Sequence, residues 1–368
     1  MAIWILAVFA VALVGLKGQL RGFRDDFLSI ERCQALNGIA ILLVVARHVG
    51  HRGVMQFGYG MNGWGDSLYF AISNPIQQLL VVTFLFFSGY GVMAQFLRKG
   101  ESYVDGFAKR RLFPTWANFA VAVACYAAVH FVFRTGVPLK KVLLAFTCFD
   151  AIGNPSWYIF CILWCYAGAW LAFRAIRRFG LPAESAWIGS VVASVAYFAL
   201  IHSLPKNRFW WTDTVLAFPF GMFVAAYRER VTAFLKRRYW LLLVVASVAF
   251  AALAGLNLDL YDVRGTAWKT AAKGEMIVNC IRHNVLGCVM MTVILLVTLK
   301  VKVGNPVLAW CGRHVFPIYV YHMIFFLIGK NLIHGEVTSW TAHAAVALAV
   351  ALTALIAKYY PRWEIRLK

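Results

Sequence analysis

The chain has 368 residues, of which 62% are hydrophobic and only 14% charged, whereas a soluble domain carries about 25% charged residues. Its formal net charge of +21 does not indicate nucleic-acid binding, because the basic residues lie in short loops between long apolar runs. A soluble fold of this length cannot bury so many apolar runs. The composition therefore excludes a soluble protein and predicts an integral membrane helical bundle.

Eleven apolar segments follow one another along the chain, and each is predicted to form a helix. They lie at residues 2–16, 35–50, 77–97, 115–133, 155–173, 186–203, 213–227, 238–256, 284–300, 314–329 and 341–357. We interpret the first segment as a retained helix rather than a signal peptide, because it lacks a basic start and no clear cleavage site follows it. The sequence therefore predicts an all-α polytopic membrane protein.

The distribution of Lys and Arg predicts the orientation of these helices. One set of alternate loops carries 24 basic residues: 17–34, 98–114, 174–185, 228–238, 300–313 and the tail from Lys358. The other set carries 11: 51–76, 134–154, 204–212, 257–283 and 330–340. Because cytoplasmic loops are the more basic ones, we expect the N-terminus outside and the C-terminus in the cytoplasm.

The second apolar segment contains the densest group of polar residues within a predicted span. Asn37, Ile41, Val44 and His48 follow at steps of four, three and four, so they lie on one stripe of a helix. Polar groups in a membrane span are costly, and histidine suits acid–base chemistry near neutral pH. A general base at His48 is one interpretation, and a histidine at the membrane interface is the other.

Two further segments combine small or basic residues with apolar ones. Ser88 lies in LFFSGYGVM, where small residues favour either close helix packing or space for a ligand. Lys109, Arg110 and Arg111 precede a proline at the start of the next span. These three residues are either a phosphate site, since arginine binds phosphate bidentately, or an ordinary positive-inside anchor.

Aromatic residues mark the start of one later span and the middle of another. Trp157 and Tyr158 open the span that follows residue 154, where interfacial aromatic residues are expected. Tyr319 and His322 lie within FPIYVYHMIFF. A buried neutral histidine bonded to a tyrosine is the simpler interpretation of this second pair.

Taken in order, these motifs resemble the acyltransferase 3 family of membrane acyltransferases. LNGIAILLVVARH is similar to the first core helix of that family, FLFFSGYG to its Phe-Phe-x-x-Ser-Gly element, and KRRLFP to its basic cluster. SWYIF, FPFGMF and YVYH are similar to three later elements. One departure is clear: His48 takes the family's histidine position, but Asn37 stands where the family has an arginine, which leaves Arg47 or Arg32 as substitutes.

The resemblance implies ten core transmembrane helices, to which this chain adds one at the N-terminus. Residues 1–30 are then the extra helix and its linker, and residues 31–368 the membrane acyltransferase domain. The implied reaction transfers an acyl group, most often acetyl, from cytoplasmic acyl-coenzyme A to a hydroxyl of a carbohydrate or glycolipid acceptor near the outer face.

The resemblance also implies roles for the residues above. His48 and Asn37 are the catalytic candidates. The candidates for binding acyl-coenzyme A, the donor substrate, are Lys109, Arg110, Arg111, Ser88, Trp157 and Tyr158. Arg47, Tyr319 and His322 are candidates for the substrate pocket. No metal site is expected, because the eight cysteines form no CxxC pair.

Two other functions fit the same composition. A transporter or flippase of a glycan or lipid-linked substrate also needs polar residues inside a bundle, although this chain shows no pair of similar halves. A non-catalytic subunit would fit the asparagine at residue 37. The absence of an Asn-x-Ser/Thr acceptor site agrees with a bacterial inner membrane. Membrane lipid is the expected surrounding, and the oligomeric state stays open.

Overall fold

The computed structural model describes residues 1–205, 208–256 and 272–367. Within these residues the regular structure is helical, apart from one antiparallel pair of two-residue strands, β1 (Lys17–Gly18) and β2 (Val301–Lys302). The predicted all-α class is therefore confirmed.

Sixteen α-helices lie in the described part of the chain. In chain order they are α1 (Ala2–Leu13), α2 (Ile30–His48), α3 (Trp64–Ile76), α4 (Leu79–Lys99), α5 (Glu101–Asp105), α6 (Phe113–Val132), α7 (Leu139–Phe146), α8 (Ser156–Phe179), α9 (Ala186–Ser203), α10 (Ala217–Ala226), α11 (Arg228–Arg237), α12 (Tyr239–Gly255), α13 (Lys273–Lys300), α14 (Pro306–Arg313), α15 (Val315–Leu332) and α16 (Ser339–Tyr359). A π-helical turn, Val49–Gly53, extends α2, and another precedes α6.

All eleven predicted apolar segments form helices, but not all of them are long enough to cross a bilayer. Eight helical segments in the described residues have the necessary length and apolar composition, and α11 with α12 forms a ninth only if this pair, bent by 93°, is one span. The helices α1 and α10 have 12 and 10 residues, or ~18 Å and ~15 Å, against a hydrocarbon core of ~30 Å. The polytopic bundle is thus confirmed, whereas a count of ten core spans is not.

Two helices extend into regions that the sequence predicts as loops. The helix α3 falls in the predicted loop 51–76, and α13 begins inside the predicted loop 257–283, most of which lies outside the described residues. Both helices carry polar residues that lower their hydropathy. Two of these polar residues, Asp66 and His283, are buried against protein rather than lipid, with an exposure of 2% each.

The loops of the more basic set contact one another at one end of the bundle, which we call the basic end. Lys236 Nζ donates to Asp25 Oδ1 at 2.9 Å, and Arg177 donates to Asp105 Oδ1 at 2.9 Å. The two short strands join residues 17–18 to 301–302 at the same end. The predicted grouping of the basic loops therefore agrees with the contacts.

Residues of the other loop set, and the helix ends beside them, contact one another at the opposite end of the bundle. Trp4 Nε1 donates to His343 Nδ1 at 3.1 Å, and Arg208 donates to the carbonyl oxygen of Phe149 at 2.5 Å. The division of the loops between two ends is thus the predicted one. Which end faces the cytoplasm, and the division into domains at residue 30, stay predictions.

Glycines bring α4 and α10 into backbone contact. A Cβ placed on Gly89 would overlap the carbonyl oxygen of Phe218, and one placed on Gly221 would overlap that of Phe86. Small residues allow such close approach between membrane helices, where dispersion contacts replace the hydrophobic effect as the driving force. Of the two interpretations of the small residues around Ser88, close helix packing is therefore the one that applies to Gly89.

We expect Gly89→Ala to destabilise the protein, because the new methyl group must push α10 away from α4. Overpacking of this kind costs about 1–3 kcal/mol, which thermal unfolding of the detergent-purified protein measures as a lower midpoint. Gly91→Ala is the matched control on the same helix, since a Cβ there meets nothing within 4 Å. Equal midpoints for the two variants would contradict the packing account.

Candidate active site

His48 is the last residue of α2, and the chain around it is held by a tyrosine from α3. The Tyr69 hydroxyl accepts from the amide of Gly50 at 2.9 Å and faces the carbonyl oxygens of Ala46 and Arg47. These are carbonyl groups that a helix end otherwise leaves without partners. Gly50 is needed for this contact, since a Cβ there would lie 2.6 Å from the Tyr69 ring.

The His48 side chain bonds a histidine from α15. His48 Nδ1 and His322 Nε2 are 2.8 Å apart, and the planes of the two rings differ by 16°. His322 Nδ1 lies 2.9 Å from the carbonyl oxygens of both Ile318 and Tyr319. Carbonyl oxygens only accept, so we assign the proton of the neutral His322 ring to Nδ1.

That assignment fixes the tautomer of His48. With its proton on Nδ1, His322 accepts at Nε2, so His48 must donate from Nδ1. The remaining nitrogen of His48, Nε2, then carries a lone pair. His322 is only 1% exposed, so the pair is held inside the bundle with a single acceptor left for a ligand.

A cavity of ≈ 430 Å³ adjoins this acceptor. Six residues of neighbouring elements contribute to its wall: His48, Arg52, Lys141, Ser156, Trp157 and Met323. The rest of the wall comes from the loops that follow α7 and α9. These are loops of the opposite end, so the cavity and the basic end lie at different ends of the bundle. The cavity is lined by both polar and aromatic side chains.

Asn154 provides an unsatisfied donor in this wall. It is 3% exposed, its Oδ1 accepts from the amide of Ile152 at 2.8 Å, and its Nδ2 has no hydrogen-bond partner in the described part of the chain. An unpaired buried amide donor costs about 1–3 kcal/mol. Asn154 is thus a buried residue of the cavity wall with one unpaired donor.

Aromatic rings line the same cavity and are tied together by an arginine. Trp157, Trp210, Trp211 and Phe149 all contribute to the wall. The Arg208 guanidinium lies 4.2 Å from the ring centre of Phe149 and 4.6 Å from that of Trp211. These cation–π contacts hold the loop after α9 against the loop before α8.

Several of the predicted site residues lie together around the histidine pair. Trp157 is in the cavity wall, and the ring of its neighbour Tyr158 lies 5.1 Å from that of Tyr319. Tyr319 in turn lies 6.3 Å from the ring of His322. The structure therefore brings together residues from α2, α8 and α15 that the sequence separates widely.

The candidates for the missing arginine behave differently. Arg32 bonds the carboxylate of Asp26 at 3.1 Å and the carbonyl oxygen of Val303 at 3.1 Å, so its guanidinium is engaged at the basic end. Arg47 lies beside the histidines, and its Nε is buried without a hydrogen-bond partner in the described residues. Arg47 is therefore the better placed of the two.

Asn37 lies far along α2 from the histidine pair. Eleven residues separate it from His48, which is ~16 Å of helix rise. Its Oδ1 is buried and has no hydrogen-bond partner among the described residues. A role for Asn37 in the chemistry stays a prediction.

The predicted phosphate site lies at the basic end. Lys109 and Arg110 are exposed, whereas Arg111 is half-buried and faces the hydroxyl groups of Tyr103 and Tyr166. Burial raises the pKa of the Tyr103 phenol, although the charge of Arg111 opposes that effect. This cluster is thus separated from His48. One ligand could contact both the cluster and His48 only if it extended from the basic end to the cavity.

Ser88 is half-buried on α4, next to the glycine that contacts α10. It does not line the cavity beside His48. Its predicted role in binding the donor is therefore not part of the histidine site.

Comparison with known proteins agrees with this arrangement. A family model described as an acyltransferase domain matches residues 34–359. The chain belongs to the acyltransferase 3 family. It is therefore a membrane acyltransferase, which sets aside the transporter that the composition alone left open. Comparison with curated proteins and with solved structures finds no significant match.

The acyltransferase contains site residues that the sequence analysis missed. Asn154, Arg208, Trp210 and Trp211 line the cavity, but they lie in loops between the apolar segments. Asn154 directly precedes Pro155, and such a position is read more simply as a turn. Among the described residues, no group of three or more His, Cys, Asp or Glu is placed to hold a metal ion.

We expect the tautomers of the acyltransferase to be visible by nitrogen-15 NMR of histidine-labelled protein. His322 should be protonated on Nδ1 and His48 on Nδ1, and His322→Gln should remove one pair of signals and shift those of His48. His51→Gln is the control, since that ring lies 5.6 Å from His48 without a bond to it. A His48 ring protonated on Nε2 at neutral pH would contradict the assignment.

Proposed function

We propose that the protein is an O-acyltransferase that moves an acyl group, most simply acetyl, from acyl-coenzyme A to a hydroxyl of a carbohydrate acceptor. The observation that carries this proposal is the free Nε2 of His48 at the wall of a cavity, with the tautomer set by His322. We place the basic end in the cytoplasm of a bacterial cell and the cavity toward the outer face, which follows the charge bias of the loops.

His48 acts as the general base in this mechanism. Its Nε2 takes the proton of the acceptor hydroxyl while the hydroxyl oxygen attacks the thioester carbonyl carbon. The carbon–sulfur bond then breaks, and His48 returns the proton to the departing thiolate of coenzyme A. His322 accepts the bond from His48 Nδ1 throughout, so it orients the ring and offsets the positive charge that develops there.

Asn154 is the donor best suited to the oxygen that becomes negative as the tetrahedral intermediate forms. Its Nδ2 is buried at the same cavity and has no partner to give up. A fixed donor in a site with little water stabilises such an oxyanion strongly, and removal of one donor typically costs about 10²–10³-fold in turnover. Arg47 is a second donor near His48.

A row of tyrosines supports a path for the donor from the basic end. Arg111 faces Tyr166, and the ring of Tyr158 lies 5.1 Å from that of Tyr319. Tyr158 and Tyr166 are eight residues apart on α8, which is ~12 Å along the helix. Coenzyme A phosphates at Lys109, Arg110 and Arg111 would then leave the thioester to extend along this row toward His48.

The aromatic wall supports a carbohydrate as the acceptor. Sugar faces present C–H groups with a weak positive charge, and these pack on the electron-rich faces of aromatic rings. Trp157, Trp210 and Trp211 offer three such rings in one cavity beside His48. A hydroxyl of the same sugar would meet Nε2 of His48.

We expect the purified protein to bind radiolabelled acetyl-coenzyme A saturably and to hydrolyse it slowly when no acceptor is present. His48→Ala should retain binding and lose at least about 100-fold of the hydrolysis, because a general base contributes about 10²–10⁴-fold. His51→Ala is the matched control on the next turn. A well-folded His48→Ala protein with normal turnover would exclude His48 as the base, and wild-type protein without binding would exclude acetyl-coenzyme A as the donor.

Asn154→Asp tests the proposed oxyanion donor with little change of shape. The variant keeps an oxygen that accepts from Ile152 but replaces the free amide donor by a second oxygen. We expect kcat to fall about 10²-fold or more while KM for acetyl-coenzyme A stays within a small factor.

The control is Asn331→Asp, which adds the same charge on α15, where the native amide bonds only the carbonyl of Leu327. Equal kcat values for the two variants would show that the Asn154 amide has no part in the chemistry.

A further inference from the structure

Three cationic side chains from three separate loops converge on the cavity beside His48. Arg52 follows α2, Lys141 lies on α7, and Arg208 follows α9. Arg52 and Lys141 are exposed and Arg208 is half-buried. We call these three residues the cationic rim.

The cationic rim is unexpected in this part of the molecule. Its residues belong to the loop set that is poor in Lys and Arg, with 11 basic residues against 24. Membrane orientation explains basic residues at the basic end, but it gives no reason to gather three of them around one cavity at the other end. Lys140, next to Lys141 on α7, does not line the cavity, so position on the chain alone does not place a cation there.

The charges of the cationic rim are only partly balanced by the described part of the chain. None of its three residues forms an ion pair within the described part of the chain. Asp150 is the only acidic residue in the described wall, and its Oδ1 accepts from the amide of Ala151 at 2.8 Å. Three cations therefore share one carboxylate, which interacts electrostatically with Arg208.

We propose that the acceptor is an anionic carbohydrate, whose carboxylate or phosphate group is bound by the cationic rim while its sugar ring packs on the tryptophans. This inference rests on the proposed function and specifies its acceptor. Arg208 is held against the rings of Phe149 and Trp211 and donates from Nη1 to the carbonyl oxygen of Phe149, so its guanidinium is pre-organised. Its remaining N–H groups suit carboxylate and phosphate geometry. Arg52 and Lys141 are exposed charges that attract the anion into the cavity.

The acid group and the reacting hydroxyl of the acceptor contact different residues of the cavity. The cationic rim binds the acid group, whereas His48 Nε2 accepts the proton of the hydroxyl. A sugar with an acid group at one position and a free hydroxyl at another satisfies both. A neutral sugar leaves the rim without a partner.

The experiment compares three small probes in the acetyl-coenzyme A assay: methyl glucoside, methyl glucuronide and glucose 1-phosphate. A probe that enters the cavity changes the rate of coenzyme A release, either by accepting the acyl group or by excluding water. We expect both acidic probes to act at concentrations at least about tenfold below the neutral one, a difference that high salt reduces. The carboxylate and phosphate arms distinguish the two acid groups.

The variants are Arg52→Gln, Lys141→Gln and Arg208→Gln, with Lys140→Gln as the matched control on α7. Each rim variant should raise the half-maximal concentration of the acidic probes by roughly two- to fivefold, the range of a single exposed charge contact, and leave that of methyl glucoside unchanged. If Arg208→Gln fails to fold, the variants of the exposed residues Arg52 and Lys141 still test the proposal.

Equal concentrations for acidic and neutral probes, or no effect of any probe, would overturn the anionic acceptor while hydrolysis by the wild type still supported the enzyme. A rise in KM for acetyl-coenzyme A in the rim variants, as large as that for the acidic probes, would assign the rim to the donor instead. A folded wild-type protein without hydrolysis would overturn the proposed function and this inference together.

Discussion

The hydrogen bond between His48 and His322 is the contact on which the site depends. It joins α2 to α15 across 274 residues, and it leaves one nitrogen of His48 as an acceptor at the cavity. His48 is the donor in this bond because two backbone carbonyl oxygens keep the proton of His322 on its Nδ1, away from His48. Backbone geometry within α15 thereby decides the chemical character of a side chain on α2.

The membrane explains why such a pair needs a rigid support. Apolar side chains gain little from leaving lipid for protein, so helices in a bilayer are held by close packing and by polar contacts. Gly89 and Gly221 bring α4 and α10 into backbone contact, and Tyr69 binds the carbonyl groups at the end of α2. The glycine contacts pack two helices of the bundle, and the Tyr69 contacts fix the end of α2 that carries His48.

The two ends of the bundle carry different groups of candidate site residues. The basic end gathers Arg111 with two tyrosines, whereas the opposite end gathers the aromatic cavity, Asn154 and the cationic rim. An extended donor that enters at one end and an acceptor that enters at the other would meet near the histidines. The proposed function would thus let a membrane protein with short loops bring together substrates from two aqueous sides.

The sequence by itself determined the membrane class, the position of all eleven apolar helices, the division of loops between two ends, and the motifs that carry His48, Trp157, Tyr158, Tyr319 and His322. Hydropathy and charge bias are local properties, and the sequence displays them directly. The tertiary structure alone decided that His48 pairs with His322, that the amide of Asn154 lacks a partner, and that three loops converge as a cationic rim. It also decided how many helices are long enough to span. These features depend on which helix faces pack together. Helical periodicity orders the residues within one helix, but it carries no information about the distance between two helices.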